Sequence, residues 1–184
     1  MSTTAVLTGT QWSVDPVHSE IAFKVKHLMI TNVKGVFSKY QITVNSDKHH
    51  PISPDVYLTI DPASISTGDA GRDQHLRTGD FFHVDQFPAI EFKGKSIDKI
   101  KNDDYQLHGD LTIKGITKPV TFDVEFGGIQ RDPWGNEKAG VSVTGKINRS
   151  DFDLTFNAAL ETGGVMLGEE VKISADLELI KQQA

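Results

Sequence analysis

The sequence lacks several features that would each have pointed to a function. It contains no cysteine, which excludes disulfides, thiolate metal sites and a cysteine nucleophile. It has no run approaching the roughly 20 apolar residues of a membrane helix, so we expect no membrane span. Its formal net charge of −6 argues against nucleic acid as a partner. The motifs G-x-S-x-G, G-x-G-x-x-G and H-E-x-x-H are absent, so no catalytic or metal site is predicted.

The beginning of the chain shows no targeting signal. Residues 1–15 have neither the basic segment nor the apolar run of a secretory signal, and we therefore expect a cytoplasmic protein. The length of 184 residues and the hydrophobic fraction of 38% suit one domain over residues 1–184, with a core from about residue 12 to 180.

Most of the chain alternates apolar and polar residues with a period of two, which indicates half-buried strands. The clearest case is the last one, where Val171, Ile173 and Ala175 alternate with polar side chains. About eight such segments follow one another through turns of hairpin length, so the strands should be antiparallel. Closure into a barrel would hide their apolar faces and remove exposed edges. The sequence therefore predicts an all-β fold, an eight-stranded antiparallel β-barrel.

The alternation stops between residues 64 and 92, where we predict one short α-helix in a strand connection. Thr67 or Asp69 can cap its first turn, because a short side-chain oxygen accepts bonds from free backbone N–H groups. The spacing places Arg72, Leu76, Asp80 and His83 on one helical face. Asp73 and Arg77 should form an i,i+4 ion pair on an adjacent stripe.

The inward-facing side chains of the predicted barrel have two interpretations. They either fill the core completely or line an apolar pore, and pattern alone favours the filled core. If the pore exists, the candidates for contact with an apolar tail are Ile21, Phe23, Val25, Leu58, Ile60, Phe81, Phe82, Phe122, Val124, Val141, Val143, Phe152 and Phe156.

Polar candidates for a ligand head group cluster on the predicted helix. Arg72, His75 and Arg77 could face an anionic group, for which arginine has suitable geometry. The alternative is that the arginines tie the helix to nearby aspartates. His27, at the end of a predicted strand, is a further candidate, with a hydrogen-bonded core histidine as the alternative.

A set of motifs in a fixed order resembles the YceI-like family of lipocalin-like barrels, which bind polyisoprenoids and other long-chain amphiphiles. The matching segments cover residues 12 to 180 and include Trp12-Ser-Val-Asp15-Pro-Val-His18, Phe23-Lys-Val-Lys-His27, Gly35-Val-Phe37, Arg72-Asp73-Gln-His75-Leu76, Asp80-Phe81-Phe82, Gly109-Asp-Leu-Thr-Ile-Lys-Gly115 and Asn148-Arg149-Ser-Asp151-Phe152.

The resemblance implies an elongated apolar pore that holds a lipid tail, with the polar head near the mouth. It favours the pore over the filled core, and it implies a lipid carrier or sequestering protein rather than an enzyme. The bound molecule would be a polyisoprenoid, an isoprenoid quinone, or a fatty acid or amide, with no other cofactor. Transport, a stress response and a homodimer are also implied. The alternatives are a hydrolase or isomerase acting on a lipid-like substrate and a stress-associated barrel without ligand.

The chain departs from the family pattern in two places. Many members are exported, whereas this chain shows no leader. The family usually has glycine after the Asp-Phe pair, but here the residue is Asp153. A bend with positive φ at this position is then either lost or formed by aspartate, which tolerates it better than most residues.

Overall fold

The computed structural model describes residues 9–47 and 50–183. These residues form eleven strands and the helix α1 (Ala70–Arg77). The strands are β1 (Thr10–Val14), β2 (Glu20–His27), β3 (Thr31–Phe37), β4 (Tyr40–Ser46), β5 (Val56–Ile60), β6 (Ile65–Ser66), β7 (Ile90–Lys101), β8 (Asp104–Ile113), β9 (Ile116–Arg131), β10 (Glu137–Asn148) and β11 (Leu167–Lys181). Short 3-10 segments occupy Pro16–His18, Pro62–Ser64 and Arg149–Phe152.

The strands close into one antiparallel barrel. β11 pairs with β10 on one side and with both β1 and β2 on the other. From β1 the ring continues through β4, β5, β7, β8 and β9 to β10. Only a few residues separate β1 from β2, β3 from β4, and β5 from β6, so each of these pairs is one broken strand. Eight strands therefore surround the core, which confirms the predicted eight-stranded antiparallel β-barrel.

Two of the three breaks are made by an Asp-Pro dipeptide. The Asp15 carboxylate accepts a hydrogen bond from the Val17 N–H at 3.1 Å, and the Asp61 carboxylate accepts one from the Ala63 N–H at 2.9 Å. Proline has no N–H to donate to the sheet, and the aspartate satisfies the next free donor. Each strand therefore bends around the barrel without leaving a buried donor unpaired.

Helix α1 fills a gap in the wall. β7 begins at Ile90 and pairs with β5, so within the described residues the short β6 pairs with β3 alone. α1 packs beside β6 at this gap. Asp69 caps the helix by accepting a hydrogen bond from the Arg72 N–H at 2.8 Å, as one of the two predicted caps. Among the described residues, no helix has the length and apolar character needed to cross a membrane.

Two details of the predicted helix are wrong. The helix ends at Arg77, because Thr78 takes an extended conformation, so Asp80 and His83 lie beyond it. Asp73 and Arg77 do not form the expected ion pair. Asp73 is buried and accepts hydrogen bonds from the N–H and hydroxyl of Thr67. These nearby donors satisfy the carboxylate without the arginine.

The bend that glycine usually forms in the family is retained in this chain. Asp153 adopts the left-handed conformation, with φ 58° and ψ 25°. Its carbonyl oxygen accepts a hydrogen bond from Lys114 Nζ at 3.0 Å, and its carboxylate lies 3.3 Å from the same ammonium. The lysine thus offsets part of the cost of a positive φ at a non-glycine residue.

Candidate functional site

The interior of the barrel contains a cavity of about 490 Å³. This volume lies in the range of small-molecule sites. Most of the predicted tail contacts lie in its wall, namely Ile21, Phe23, Val25, Leu58, Ile60, Phe81, Phe82, Phe122, Val143 and Phe156. The inward faces of the strands therefore enclose a space rather than meet at the axis.

Three predicted tail contacts lie elsewhere in the core. Val124 and Val141 are buried but outside the cavity wall, and Phe152 is buried in the 3-10 segment that follows β10. Val124 and Val141 lie toward the end of the barrel away from α1, whereas Phe152 lies at the same end as α1 but packs into the core instead of facing the cavity.

Close packing fills the end of the barrel away from α1. Its centre is Trp12, which is fully buried and pairs in register with Val44. Ala139 and Leu179 pair across β10 and β11 in the same region, and both are buried. The two interpretations of the sequence, a filled core and an open pore, are therefore both realised, at opposite ends of one barrel.

Phenylalanine rings pack closely against strand glycines along the cavity wall. A Cβ atom on Gly145 would lie 2.8 Å from Phe122 Cε1, and one on Gly35 would lie 2.6 Å from Phe23 Cε1. Such distances are shorter than any ordinary carbon contact. Glycine at these positions lets the rings sit against the backbone and keeps the cavity open.

The polar side chains of the wall are gathered at one end. They are His27, Thr67, Arg72, His75 and Arg149, which come from the end of β2, from α1 with its preceding turn, and from the segment after β10. Arg72 is exposed to solvent while it also lines the cavity, so the mouth lies beside α1. The site is thus apolar along its length and polar at its opening.

Arg72 is held in place by the turn before the helix. Its Nε donates to Thr67 Oγ1 at 2.7 Å and its Nη2 donates to the Thr67 carbonyl oxygen at 3.0 Å. The Thr67 hydroxyl in turn donates to the buried carboxylate of Asp73 at 2.6 Å. This chain of contacts fixes a guanidinium at the mouth.

His75 and Arg77 have different environments, although they share the helix. His75 lines the cavity, its Nε2 lies 2.8 Å from Asp80 Oδ2, and its ring packs against Phe81 and Phe156. Arg77 lies outside the wall, where its guanidinium donates to the carbonyl oxygens of Ala63 and Ile65. Arg77 therefore attaches α1 to the strand beside it.

Arg149 is a polar wall residue that the sequence interpretation did not single out. Its side chain is 4% exposed. Nε donates to the Gly168 carbonyl at 2.8 Å, and Nη1 donates to the carbonyls of Leu154 and Phe156. Burial lowers the pKa of Arg149, because removal of water disfavours the charged form, and Glu169 partly offsets this effect.

One nitrogen of Arg149 remains without a hydrogen bond. Nη2 is buried and has no hydrogen-bond partner among the described residues; Glu169 Oε1 is 3.6 Å away. An unpaired buried donor costs about 1–3 kcal/mol. The sequence signal for this residue was an arginine inside a family motif at the end of an apolar strand, but its partners are backbone carbonyls that no side-chain pattern reveals.

A second polar cluster lies outside the cavity wall. Ligand atoms of Asp15, His18 and Glu178 lie within 4.8 Å of one another, as in a metal site. Lys138 Nζ, however, already lies 2.7 Å from Glu178 Oε1 and 3.2 Å from Asp15 Oδ2. The lysine ammonium occupies the position that a metal ion would take. The cluster is therefore an ion-pair network that joins β10 and β11 to the break after β1.

The barrel, its order of motifs and its one-ended cavity can be compared with known proteins. The chain matches the YceI-like domain over residues 12–179. It belongs to this family. A UPF0312 protein of Staphylococcus aureus (strain N315) is 46% identical over 170 residues, which cover 92% of this chain and 96% of that protein.

Solved structures share the fold. BcnA of Burkholderia cenocepacia superposes with a TM-score of 0.76 at 25% identity, over 90% of this chain and 98% of that one. The YCEI protein of Campylobacter jejuni gives 0.72 at 34% identity, over 87% and 91%. A polyisoprenoid binding domain from Saccharophagus degradans gives 0.67 at 16% identity, over 93% and 98%, which shows the fold alone.

Proposed function

We propose that this YceI-like protein binds one long-chain amphiphile and carries or sequesters it, with the apolar tail in the barrel and the head group at the mouth beside α1. The observation that carries the proposal is the cavity of about 490 Å³, which has an apolar wall along its length and polar side chains at one end. An isoprenoid chain, including the tail of a quinone, is the ligand class that we favour. The polyisoprenoid binding domain of Saccharophagus degradans, which has the same fold, supports this choice.

The driving force would be transfer of the tail out of water. Each 100 Å² of apolar surface buried contributes about 2.5 kcal/mol before the costs of association are subtracted. Fatty acids and fatty amides would gain in the same way, so the wall alone selects for chain length and width. Selection among head groups requires the polar side chains at the mouth.

We assign recognition of the head group to Arg149 and Arg72, with His75 and His27 beside them. An oxygen of the ligand next to Arg149 Nη2 would satisfy the buried donor that lacks a hydrogen bond. Arg72 offers a second, solvent-facing guanidinium at the same end. Arg77 is left out of this proposal, because it lies outside the wall and donates to backbone carbonyls.

The test is organic extraction and mass spectrometry of the protein purified from its own host, compared with the variant Ala175→Phe. Ala175 lies in the cavity wall with an exposure of 9%, so a phenyl ring at this position should occupy the space of the tail. We expect a stoichiometric long-chain species with the wild type and little or none with the folded variant. Equal recovery from both proteins would show that the ligand does not occupy the cavity.

Binding without turnover is the function that we propose. Among the described wall residues the one hydroxyl is that of Thr67, which donates to Asp73 and accepts from Arg72 Nε, so its contacts serve to position Arg72. His75 beside Asp80 is the feature that would suit a general base. Conversion of bound isoprenoid or fatty substrates that disappears in His75→Gln would favour the enzyme instead.

A role in lipid transport or in a stress response, a cytoplasmic location and a homodimer remain predictions. Cell fractionation and analytical ultracentrifugation of the full chain would measure the last two directly.

A further inference from the structure

The hairpin formed by β2 and β3 differs in charge from the rest of the protein. Between residues 21 and 37 it carries Lys24, Lys26 and Lys34 and no aspartate or glutamate, in a chain whose formal net charge is −6. All three lysines are exposed. This hairpin is therefore a cationic element on an acidic protein.

The tip of the hairpin is apolar and open to solvent. Leu28, Met29 and Ile30 are 39%, 52% and 80% exposed. Leu28 and Met29 have φ of 52° and 62°, in the left-handed region that two-residue hairpin turns usually fill with asparagine and glycine. Large apolar side chains at these two positions destabilise the fold, because they strain the backbone and leave apolar surface exposed to water. Local sacrifices of this kind are expected at functional sites.

The lysines of the hairpin continue into a ladder across four neighbouring strands. In register, Lys34 lies opposite Lys24, Lys24 opposite Lys172, and Lys172 opposite Lys146. Like charges directly opposite each other destabilise a sheet. None of these four lysines has an ion-pair partner within the described part of the chain. Glu170, two residues before Lys172, offsets only part of the charge, so the ladder is a net cationic strip on the outer face of the sheet.

The apolar tip sits at the mouth of the cavity. His27, just before the tip, lines the cavity, and the Leu28 N–H donates to the carbonyl of Met166, another wall residue. Farther from the tip the charge reverses, because Glu20 lies opposite Asp176 on the same two strands. On β2 the lysines therefore lie nearer the tip than the carboxylate does, whereas β11 also carries Glu169 and Glu170 at this end, of which Glu169 is paired with Arg149.

From these observations we propose that the β2–β3 hairpin docks the cavity mouth onto an anionic lipid bilayer, with the side chains of Leu28, Met29 and Ile30 entering the headgroup boundary and the lysine ladder facing the lipid phosphates. This proposal rests on the proposed function, since it names the surface from which the amphiphile enters the barrel. Amphipathic elements with apolar side chains beside lysines bind membrane surfaces in this way.

A bilayer suits the tip better than a protein partner does. Stable protein interfaces bury at least about 1,000 Å² with a packed apolar core. The tip offers three exposed apolar side chains on one turn, and the lysines beside it are spread along a sheet. An anionic bilayer has a diffuse layer of negative charge, which matches the lysines, over an apolar interior, which matches the tip. Docking on it would place the mouth of the cavity where a lipid would be taken up or released.

The experiment measures binding of the full-length protein to vesicles of phosphatidylcholine with about 30% phosphatidylglycerol, in comparison with phosphatidylcholine alone. We expect binding to the anionic vesicles that falls steeply between about 0.1 M and about 1 M salt, where the Debye length drops to about 3 Å. Met29→Ser/Ile30→Ser and, separately, Lys24→Glu/Lys34→Glu should each weaken it about tenfold or more.

Matched controls lie at the other end of the barrel. Trp134→Ser removes a side chain that is 83% exposed in the β9–β10 turn, and Lys99→Glu/Lys101→Glu reverses two charges near the β7–β8 turn. Both should bind vesicles as the wild type does. A vesicle-free titration with a soluble isoprenoid analogue should be unchanged in every variant, which separates docking from the cavity.

Three results would overturn the docking proposal while leaving the carrier function intact. The first is vesicle binding that the hairpin variants do not alter. The second is equal binding to neutral and anionic vesicles. The third is a change of sedimentation coefficient in the hairpin variants without a change in vesicle binding, which would identify the lysine ladder as a contact between two copies of the chain. Failure of the soluble titration in the wild type would instead refute the carrier function.

Discussion

The width of the cavity should depend on Gly145, and the variant Gly145→Ala tests this dependence. The backbone at this position accepts alanine, since its φ is not in the left-handed region. The new Cβ would lie 2.8 Å from Phe122 Cε1, whereas carbon atoms in contact are about 3.5–4.0 Å apart. Phe122 Cδ1 would lie nearer still, so the ring must move by roughly 1–1.5 Å. Phe92 stands beside it at a centroid distance of 5.4 Å, so the free direction is into the cavity.

The expected magnitudes follow from this displacement. Overpacking of a core lowers the free energy of unfolding by about 1–3 kcal/mol. Because Phe122 has empty space in front of it, we expect a loss near the lower end of this range. A ring that enters the cavity would displace about two methylene groups of a bound tail, each worth about 0.8 kcal/mol. The affinity for a long-chain ligand should therefore fall about tenfold.

The assay is a titration with a fluorescent isoprenoid or fatty-acid analogue, together with thermal denaturation. Gly140→Ala is the matched control on the same strand, because the nearest neighbour of a new Cβ there is Gly127 Cα at an ordinary 3.9 Å. Adding Phe122→Leu to Gly145→Ala should restore part of the affinity. If Gly145→Ala binds the ligand as tightly as Gly140→Ala does, Phe122 does not limit the cavity and the reasoning is refuted.

Three further predictions concern the mouth, the helix and the ion-pair network. Arg149→Met should weaken ligands with an oxygen-bearing head group more than plain hydrocarbons, as measured by parallel titrations. Asp69→Ala removes the cap of α1 and should lower the free energy of unfolding by about 1 kcal/mol, as measured in urea. The hydrogen bond with His18, followed by that with Lys138, lowers the pKa of Asp15. Asp15 therefore stabilises the fold above its unfolded pKa of 3.8, and this contribution is lost as the pH falls below that value. The difference in melting temperature between wild type and Asp15→Asn should shrink over the same range, and a constant difference would contradict the assignment.

Alternation predicted the barrel well because the inward face of a strand must be apolar along its whole length. It failed to show where strands break. The alternating segment from Val36 to Val44 belongs to two strands, with Phe37 and Ile42 both buried although they stand an odd number of residues apart. The phase of the alternation changes at residues 38–39, where the strand breaks. The extent of the cavity was not visible, since filled and open regions of the barrel use the same apolar residue types.

The mouth was predictable only in part. Arg72 and His75 were singled out because they lie on the one helix, and both line the cavity. Arg149 was missed because its partners are the carbonyls of residues distant from it in the chain, such as Gly168. Arg77 was misplaced because a helical stripe does not reveal which of its members faces a neighbouring strand. A side-chain pattern in the sequence indicates which face of a helix or strand a residue occupies. Whether that residue binds a backbone carbonyl depends on which segments the closed barrel brings beside it.

The filled end of the barrel, centred on the fully buried Trp12, has a consequence for exchange of the ligand. A barrel that relied on its ligand for a core would unfold or aggregate each time the ligand left. Here the packed end supplies a core of its own, so we expect the protein to stay folded when its cavity is empty. Ligand binding should then raise the melting temperature only by mass action, through the ratio of free ligand to its dissociation constant. If the protein carries a lipid as proposed, the fold would then not depend on occupancy of the cavity, and binding would add stability to a barrel that is already folded.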